Sequence, residues 1–266
     1  MTVQINLDYD YQFNRRPKNK FINELIRRHE TQYLEMLKNI SKYKESFTNI
    51  KLTEPDQGTE PYWLNAWLPG LDAMSIYTLI AEFKPITYVE VGSGNSTKFA
   101  RRAVADHSPS TKIISIDPNP RAAIDRLCDS ALRCPLENLD TAIFAELQKN
   151  DVIFIDNSHR SFQNSDVTVF FTEILPAIRA GVIYGLHDIF WPEDYPVGWE
   201  GRVYNEQYIL GAYLLGGAAG DHIILANHYV SSEPSPSLKA QLDLLFEDAA
   251  LADVRRSGGC FWVQKS

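Results

Sequence analysis

The pattern of apolar positions changes character near residue 85. Before it, the pattern is helical. Between Lys18 and Lys44 apolar residues recur at 21, 22, 25, 26, 33, 36, 37 and 40, the spacing of an amphipathic helix. The stretch LDAMSIYTLIAEF predicts a second helix, with Asp72 near its start and Pro85 closing it. After it, short β-branched runs take over: ITYVEV (86–91), KIISID (112–117), DVIFID (151–156) and GVIYGLHD (181–188), with ALRCPL (131–136) a weaker strand. Helical segments are expected between them over 96–105, 120–130, 139–149 and 163–179. Strands alternating with helices predict a parallel sheet covered on both faces. In the tail, HIILAN (222–227) and CFWVQK (260–265) flank a helix near 237–249, which suggests a terminal antiparallel pair. Residues 1–17 carry no such period, and TEPDQGTEPYW reads as a loop.

Length and charge narrow the class. A chain of 266 residues can make one large α/β domain with an appendage, or two small ones. A net charge of −8 is a poor match for nucleic acid or an anionic membrane. The three cysteines, Cys128, Cys134 and Cys260, form no CxxC pair, and an odd count argues against a disulfide framework. A reducing, cytoplasmic setting is expected. The start, MTVQINLDYDYQFN, is too polar for a secretory leader, and YILGAYLLGGAA is too short and glycine-rich to span a bilayer.

The stretch VEVGSGNSTKFA combines a strand end, a glycine turn and a helix start. In an open parallel sheet that place holds ligands. Gly92 and Gly94 allow close backbone approach or positive φ, and Ser96 or Thr97 can cap the following helix. A dinucleotide loop would read G-x-G-x-x-G, but Thr97 occupies the last of those positions. Glu90, two residues before the first glycine, suits a ligand with a cationic amino-acid moiety, such as S-adenosylmethionine, better than a pyrophosphate. Asp117 ends the second strand, where a carboxylate can accept from both ribose hydroxyls of either adenosine cofactor. A tight turn without a ligand remains the plain alternative for the loop, and a turn-forming aspartate for Asp117.

Taken together, EVGSGNST, SIDPNP, DVIFIDNSH and GVIYGLHDIFWPEDYP resemble class I S-adenosylmethionine-dependent methyltransferases, and more narrowly methyltransferase domain family 24, from about Tyr62 to Leu215. The resemblance implies a Rossmann-like seven-stranded mixed sheet of order 3-2-1-4-5-7-6, last strand antiparallel, with helices on both faces. Residues 1–70 would be an N-terminal helical extension with an aromatic loop, and 71–266 the cofactor-binding domain. It implies Glu90, Gly92, Ser93, Gly94, Ser96, Asp117 and Asp156 as cofactor contacts, with Leu136 and Glu137 of CPLEN beside the adenine.

A second constellation lies at the ends of the fourth and fifth strands, neighbours about 4.8 Å apart in the implied order. Asp156, His187 and Asp188 could hold one divalent ion, Mg²⁺ or Mn²⁺. Catechol-type O-methyltransferases are similar there, but this sequence has His159 where they carry lysine and His187-Asp188 where they carry Asp-Asn. His159 or His187 could instead act without metal as the base that deprotonates a hydroxyl acceptor. Third, Asp156 could cap a helix and His-Asp brace a loop. His29, His107, His222 and His228 have no such company and read as structural or surface residues. The long stretch 187–208 carries Trp191, Tyr195, Trp199, Tyr204 and Tyr208, and PYWLNAWLPG (61–70) holds more rings. Both read as pocket walls, with Glu206 and Gln207 as polar pocket contacts, or else as a satellite core or an interface between two copies. The functional expectation is methyl transfer from S-adenosylmethionine to a small molecule, at oxygen. The alternatives are an NAD-dependent oxidoreductase and a non-catalytic cofactor-binding module.

Overall fold

The computed structural model describes residues 17–55, 58–120 and 123–266. The patternless stretch expected over 1–17 lies, except for Pro17, outside the described residues. The chain opens with helices α1 (Lys20–Arg27), α2 (Glu30–Ser41), α3 (Lys44–Thr48) and α4 (Gly70–Phe83). The single helix expected over 18–44 is thus two, broken at Arg28–His29, where no apolar residue lies between Ile26 and Tyr33. Then follow β1 (Thr87–Val91), α5 (Asn95–His107), β2 (Lys112–Ile116), β3 (Ser130–Leu132), α6 (Ala142–Ala145), β4 (Val152–Ile155), α7 (Asp166–Val169), α8 (Leu175–Ala177) and β5 (Ile183–Leu186). The last elements are α9 (Glu206–Leu215), β6 (His222–Ala226), α10 (Asn227–Ser232), α11 (Pro236–Leu245) and β7 (Phe261–Gln264).

One seven-stranded sheet has the order β3-β2-β1-β4-β5-β7-β6, as the resemblance implied. Strands β1 to β5 pair in parallel, and β7 runs antiparallel to both β5 and β6. The inner strands β1, β4 and β5 are buried almost throughout, as near-continuous apolar runs in a covered parallel sheet should be. Gly185 of β5 faces the Trp262 indole of β7; a Cβ there would come within 2.3 Å of the ring.

Two expected helices shrink. Among the described residues of 120–130 only a tight turn at Asp125–Leu127 forms before β3 begins, because Pro118 and Pro120 spoil the approach to a longer helix. Over 139–149 only the one-turn α6 forms. The stretch 166–177 is continuous, but widens into a π turn at Phe170–Ile174. The segment before residue 70 is tied into the rest: α2 packs on β6, α4 and α11, and α1 packs on α9. Among the described residues no helix is long and apolar enough to cross a membrane.

Candidate active site

The parallel strands all aim their carboxyl ends at one edge of the sheet, and the chain changes direction between β1 and β4, which share that edge as neighbours. At Gly92, φ is +79°, and an added Cβ would fall 1.8 Å from the Asp156 carbonyl oxygen, so only glycine fits. Gly94 differs: its backbone is extended, and a Cβ there would meet nothing within 4 Å. The Gly94 N–H donates to Thr97 Oγ1 at 3.1 Å, and that hydroxyl donates to Glu90 Oε2 at 2.5 Å. Thr97, rather than Ser96, therefore fastens the start of α5.

Glu90 sits behind this turn, fully buried, and lines neither of the cavities beside the loop. Burial pushes its carboxyl up to about 8, despite the hydrogen bonds of Ser96 and Thr97 that favour the ionised form. Its Oε1 has no hydrogen-bond partner. In this structure Glu90 braces the loop from behind instead of facing the cavity, because a β1 residue at this register points into the sheet's covered face beside Ser115 and Phe154. Asp117 does face a cavity. Its Oδ2 accepts from the Ser93 N–H and its Oδ1 from the Asn119 N–H, both at 2.7 Å, which fixes the carboxylate while leaving lone pairs on each oxygen.

Two cavities flank the loop. One, of about 360 Å³, is lined by Gly92, Asp117, Leu136, Glu137 and Asn157 among others. The other, of about 390 Å³, is lined by Gly94, Ser96, Lys98, Glu54, Tyr62 and Trp67 among others. Ser93 and Asp156 line both, so the two form one elongated trough over the loop. A third, of about 480 Å³, lies beyond the end of β5, against His187, Asp188, Phe190, Trp199, Arg202 and His228; Trp67 also reaches it.

Where the trough meets the third cavity, acids and histidines crowd together. His159, with φ of +56°, is buried; its Nδ1 lies 2.8 Å from Glu206 Oε2 and its Nε2 3.2 Å from Asp156 Oδ1. The Asp188 carboxylate is 3.6 Å from the same Nε2. Burial alone would lower the His159 pKa, but hydrogen bonds to Asp156 and Glu206 outweigh it and carry it up to about 10. The ring is therefore an imidazolium as it stands, not a ready proton acceptor. Asp156 is held well below the usual carboxylate range: His187 and His159 outweigh the burial that would raise it.

His187 is oriented from behind. Its Nε2 lies 3.2 Å from Asp72 Oδ2, a fully buried carboxylate on α4. Asp72 also accepts from the Gly259 and Cys260 N–H groups and from Asn227 Nδ2, at 2.7–2.9 Å. His187 Nδ1 then points toward Asp156 Oδ1 at 3.3 Å and Asp188 Oδ1 at 3.6 Å, hydrogen-bonded to neither. Asp72, His187 and Cys260 also lie close enough together to suggest a metal site. That group is already satisfied: backbone and amide donors fill the carboxylate, and burial pushes the Cys260 thiol up, away from the thiolate a metal needs.

The topology and the loop geometry now meet one finding. Residues 89–189 match the family model described as a methyltransferase domain. Over that stretch, which is less than half of its length, the chain resembles a methyltransferase domain. No curated protein matches the sequence. Among solved structures, the chain is similar to a cofactor-bound protein from MTB, Rv0187, at 12% identity, covering 84% of this chain and 87% of that one, TM-score 0.38. It is similar to the O-methyltransferase TomG from Streptomyces achromogenes, in complex with S-adenosylmethionine, at 13% identity, 87% and 90% coverage, TM-score 0.33. It is also similar to the methyltransferase MycE of mycinamycin biosynthesis, in complex with Mg, S-adenosylhomocysteine and mycinamycin VI, at 15% identity, 71% and 47% coverage, TM-score 0.39.

Of the residues singled out in the sequence, Gly92, Ser93, Gly94, Ser96, Asp117, Leu136, Glu137 and Asp156 line the trough. His159, His187 and Asp188 gather around Asp156. Glu206 and Gln207 line none of the three cavities: both are fully buried at the start of α9, Glu206 holding His159 and Gln207 accepting from the Phe190 N–H. The aromatic stretch is both wall and satellite core. Phe190, Tyr195, Trp199 and Tyr204 pack edge to face at 5.2–5.9 Å, while Phe190 and Trp199 also face the third cavity. Asp72, Lys98 and His228 were missed as site residues. Asp72 read as a helix start, and only its partners near residue 259 reveal its role.

Proposed function

We propose that this methyltransferase acts on a hydroxyl oxygen of a small, ring-bearing molecule, assisted by a divalent cation, Mg²⁺ or Mn²⁺, at Asp156, His187 Nδ1 and Asp188. The observation that carries this reading is the buried His187 Nδ1, without a hydrogen bond and facing two carboxylates at the junction of the cofactor trough and the aromatic cavity. Its spacings of 3.3 and 3.6 Å are close to those of neighbouring donors around one ion, about 3.0–3.5 Å for bonds near 2.1 Å. Asp72 behind His187 supplies the outer carboxylate that metal-binding histidines usually have. Such a cation, when bound, would favour the ionised form of the acceptor hydroxyl and orient it.

The chain's own groups do the rest. The trough seats the cofactor, Asp117 facing its ribose and Leu136 and Glu137 its base. Residues 71–266 form the catalytic unit, and the described residues before 71 an extension, of which Glu54, Tyr62 and Trp67 wall it. Phe190 and Trp199 offer faces on which a ring can stack and exclude water. Methyl transfer then depends mostly on in-line placement of oxygen, methyl and sulfur. We assign His159 Nε2 as the acceptor of the hydroxyl proton: a cation bound at Asp156 would take that carboxylate's charge away from the ring, so that Nε2 would release its proton to solvent before taking the acceptor's.

Titration calorimetry with S-adenosylhomocysteine, against NAD as control, tests the cofactor half. Micromolar binding, about −8 kcal/mol, is expected for the wild type, and roughly 10–100-fold weaker binding for Asp117→Ala, which loses a charged acceptor. Tighter binding of NAD would revive the oxidoreductase reading. Product analysis with a panel of hydroxyl acceptors, with and without chelator, tests the other half: methylation untouched by chelation would sink the metal.

A further inference from the structure

We propose that Lys98 is the receptor for the α-carboxylate of the cofactor's amino-acid end. This rests on the reading that the trough holds S-adenosylmethionine. Lys98 lies in the first turns of α5, four residues beyond Gly94, and its side chain is 2% exposed. Taking an ammonium out of water is costly unless it is paired and hydrogen-bonded. Yet its one ion pair among the described residues is loose. Nζ lies 3.5 Å from Glu54 Oε1, on a side chain that is 57% exposed, and 5.3 Å from the centre of the Tyr62 ring. No hydrogen bond from Nζ to any other described residue accompanies them. A buried cation whose counter-ion is more than half exposed is a charge held ready for an anion.

The position of that anion follows from the trough. Asp117, Leu136 and Glu137 mark the nucleoside half, Lys98 lines the other, and Ser93 and Asp156 join the two. Asn95 and Ser96, in the first turn of the 13-residue helix α5, line the same half. First-turn N–H groups lack partners within their own helix and carry its positive end. Lysine and helix end together make a site for one compact anion, at the far end from the base. In the methyl donor that group is the α-carboxylate. Without ligand, Glu54 stands in for it. The pair thereby links the chain before residue 70, outside the matched domain, to the presence of cofactor.

The test is a cycle over one side chain and one ligand group. S-adenosylhomocysteine and its decarboxylated form are titrated into wild type and Lys98→Met. Wild type should prefer the carboxylated ligand at least tenfold. In Lys98→Met that preference should collapse to within about threefold, through weaker S-adenosylhomocysteine binding alone, with the decarboxylated ligand bound as before. Unchanged binding of the decarboxylated ligand shows that the variant is folded. Equal losses for both ligands, or a preference that survives the substitution, would overturn the assignment. A wild type that binds neither ligand would overturn the cofactor reading itself. Lys98→Arg, which keeps the charge, should retain most of the preference.

Discussion

The two halves of the site satisfy their charges in opposite ways. Around the glycine loop the acids meet only neutral donors: Asp117 the N–H groups of Ser93 and Asn119, Glu90 the Thr97 hydroxyl at Oε2, its Oε1 having no hydrogen-bond partner. Around β4 and β5 the acids Asp72, Asp156, Asp188 and Glu206 converge on two imidazoles, and one ring nitrogen is left facing carboxylates with no bond. A preorganised cradle needs only its ligand to fill it. A cluster short of positive charge is where the proposed cation would add it. Substitutions should therefore separate the halves: those in the first should change cofactor affinity or fold stability, and those in the second metal affinity and turnover.

The largest effect is expected at Asp156, the one acid that lines the cofactor trough and touches both histidines. Asp156→Asn should cut methyl transfer about a thousandfold or more and abolish Mn²⁺ binding measured by calorimetry. S-adenosylhomocysteine should still bind within a few-fold. A variant that loses cofactor affinity and keeps Mn²⁺ would invert the comparison.

Next comes Asp72→Asn. Asp72 Oδ1 takes three N–H donors, and Oδ2 takes the Gly259 N–H besides His187, so an asparagine keeping the first set turns its amide N–H₂ toward His187 Nε2 and loses the second Gly259 bond. The ring must then carry its hydrogen on Nδ1, where it blocks a metal. Mn²⁺ affinity should fall about 10–100-fold, with cofactor affinity unchanged. Nitrogen NMR of the histidine ring reads the tautomer directly, and an Nε2–H ring persisting in the variant would refute the mechanism.

The smallest effect belongs to the glycine loop and is one of stability. Unfolded, the Glu90 carboxyl ionises near 4.5; folded, it keeps its proton up to about 8. Its contribution is intact below pH 4.5 and is lost as pH rises toward 8. Glu90→Gln escapes that loss. Its melting temperature should exceed that of wild type by roughly 3–6 °C at pH 8 and by much less at pH 5. A gain equal at both values would show that the buried carboxyl is not what titrates.

The same contrast explains what the sequence revealed. Strands β1, β2, β4 and β5 were legible because their β-branched runs need no distant partner to be recognised, and the loop residues because they are adjacent in the chain. The break between α1 and α2 was visible as the apolar gap from Ile26 to Tyr33, but periodicity on both sides masked it. Helix α9 was not assigned, only its first residues to Tyr208 being read as the end of the aromatic loop, since its glycine and its rings blur any amphipathic face. Lys98 and Asp72 were invisible for another reason. Each is defined by partners far along the chain, Glu54 for one and Gly259 and Cys260 for the other. A buried charge in a helix looks like any polar residue until folding brings up what it faces.

Trp67 lines both the amino-acid half of the trough and the aromatic cavity, and is 53% exposed. Trp63, Trp191 and Trp262 are buried, and Trp199 faces the aromatic cavity alone. An indole in water emits at longer wavelengths than a dry one, so filling either cavity drains the solvent that Trp67 sees. The molecule thus carries its own optical gauge of occupancy, placed where donor and acceptor meet and legible without a label.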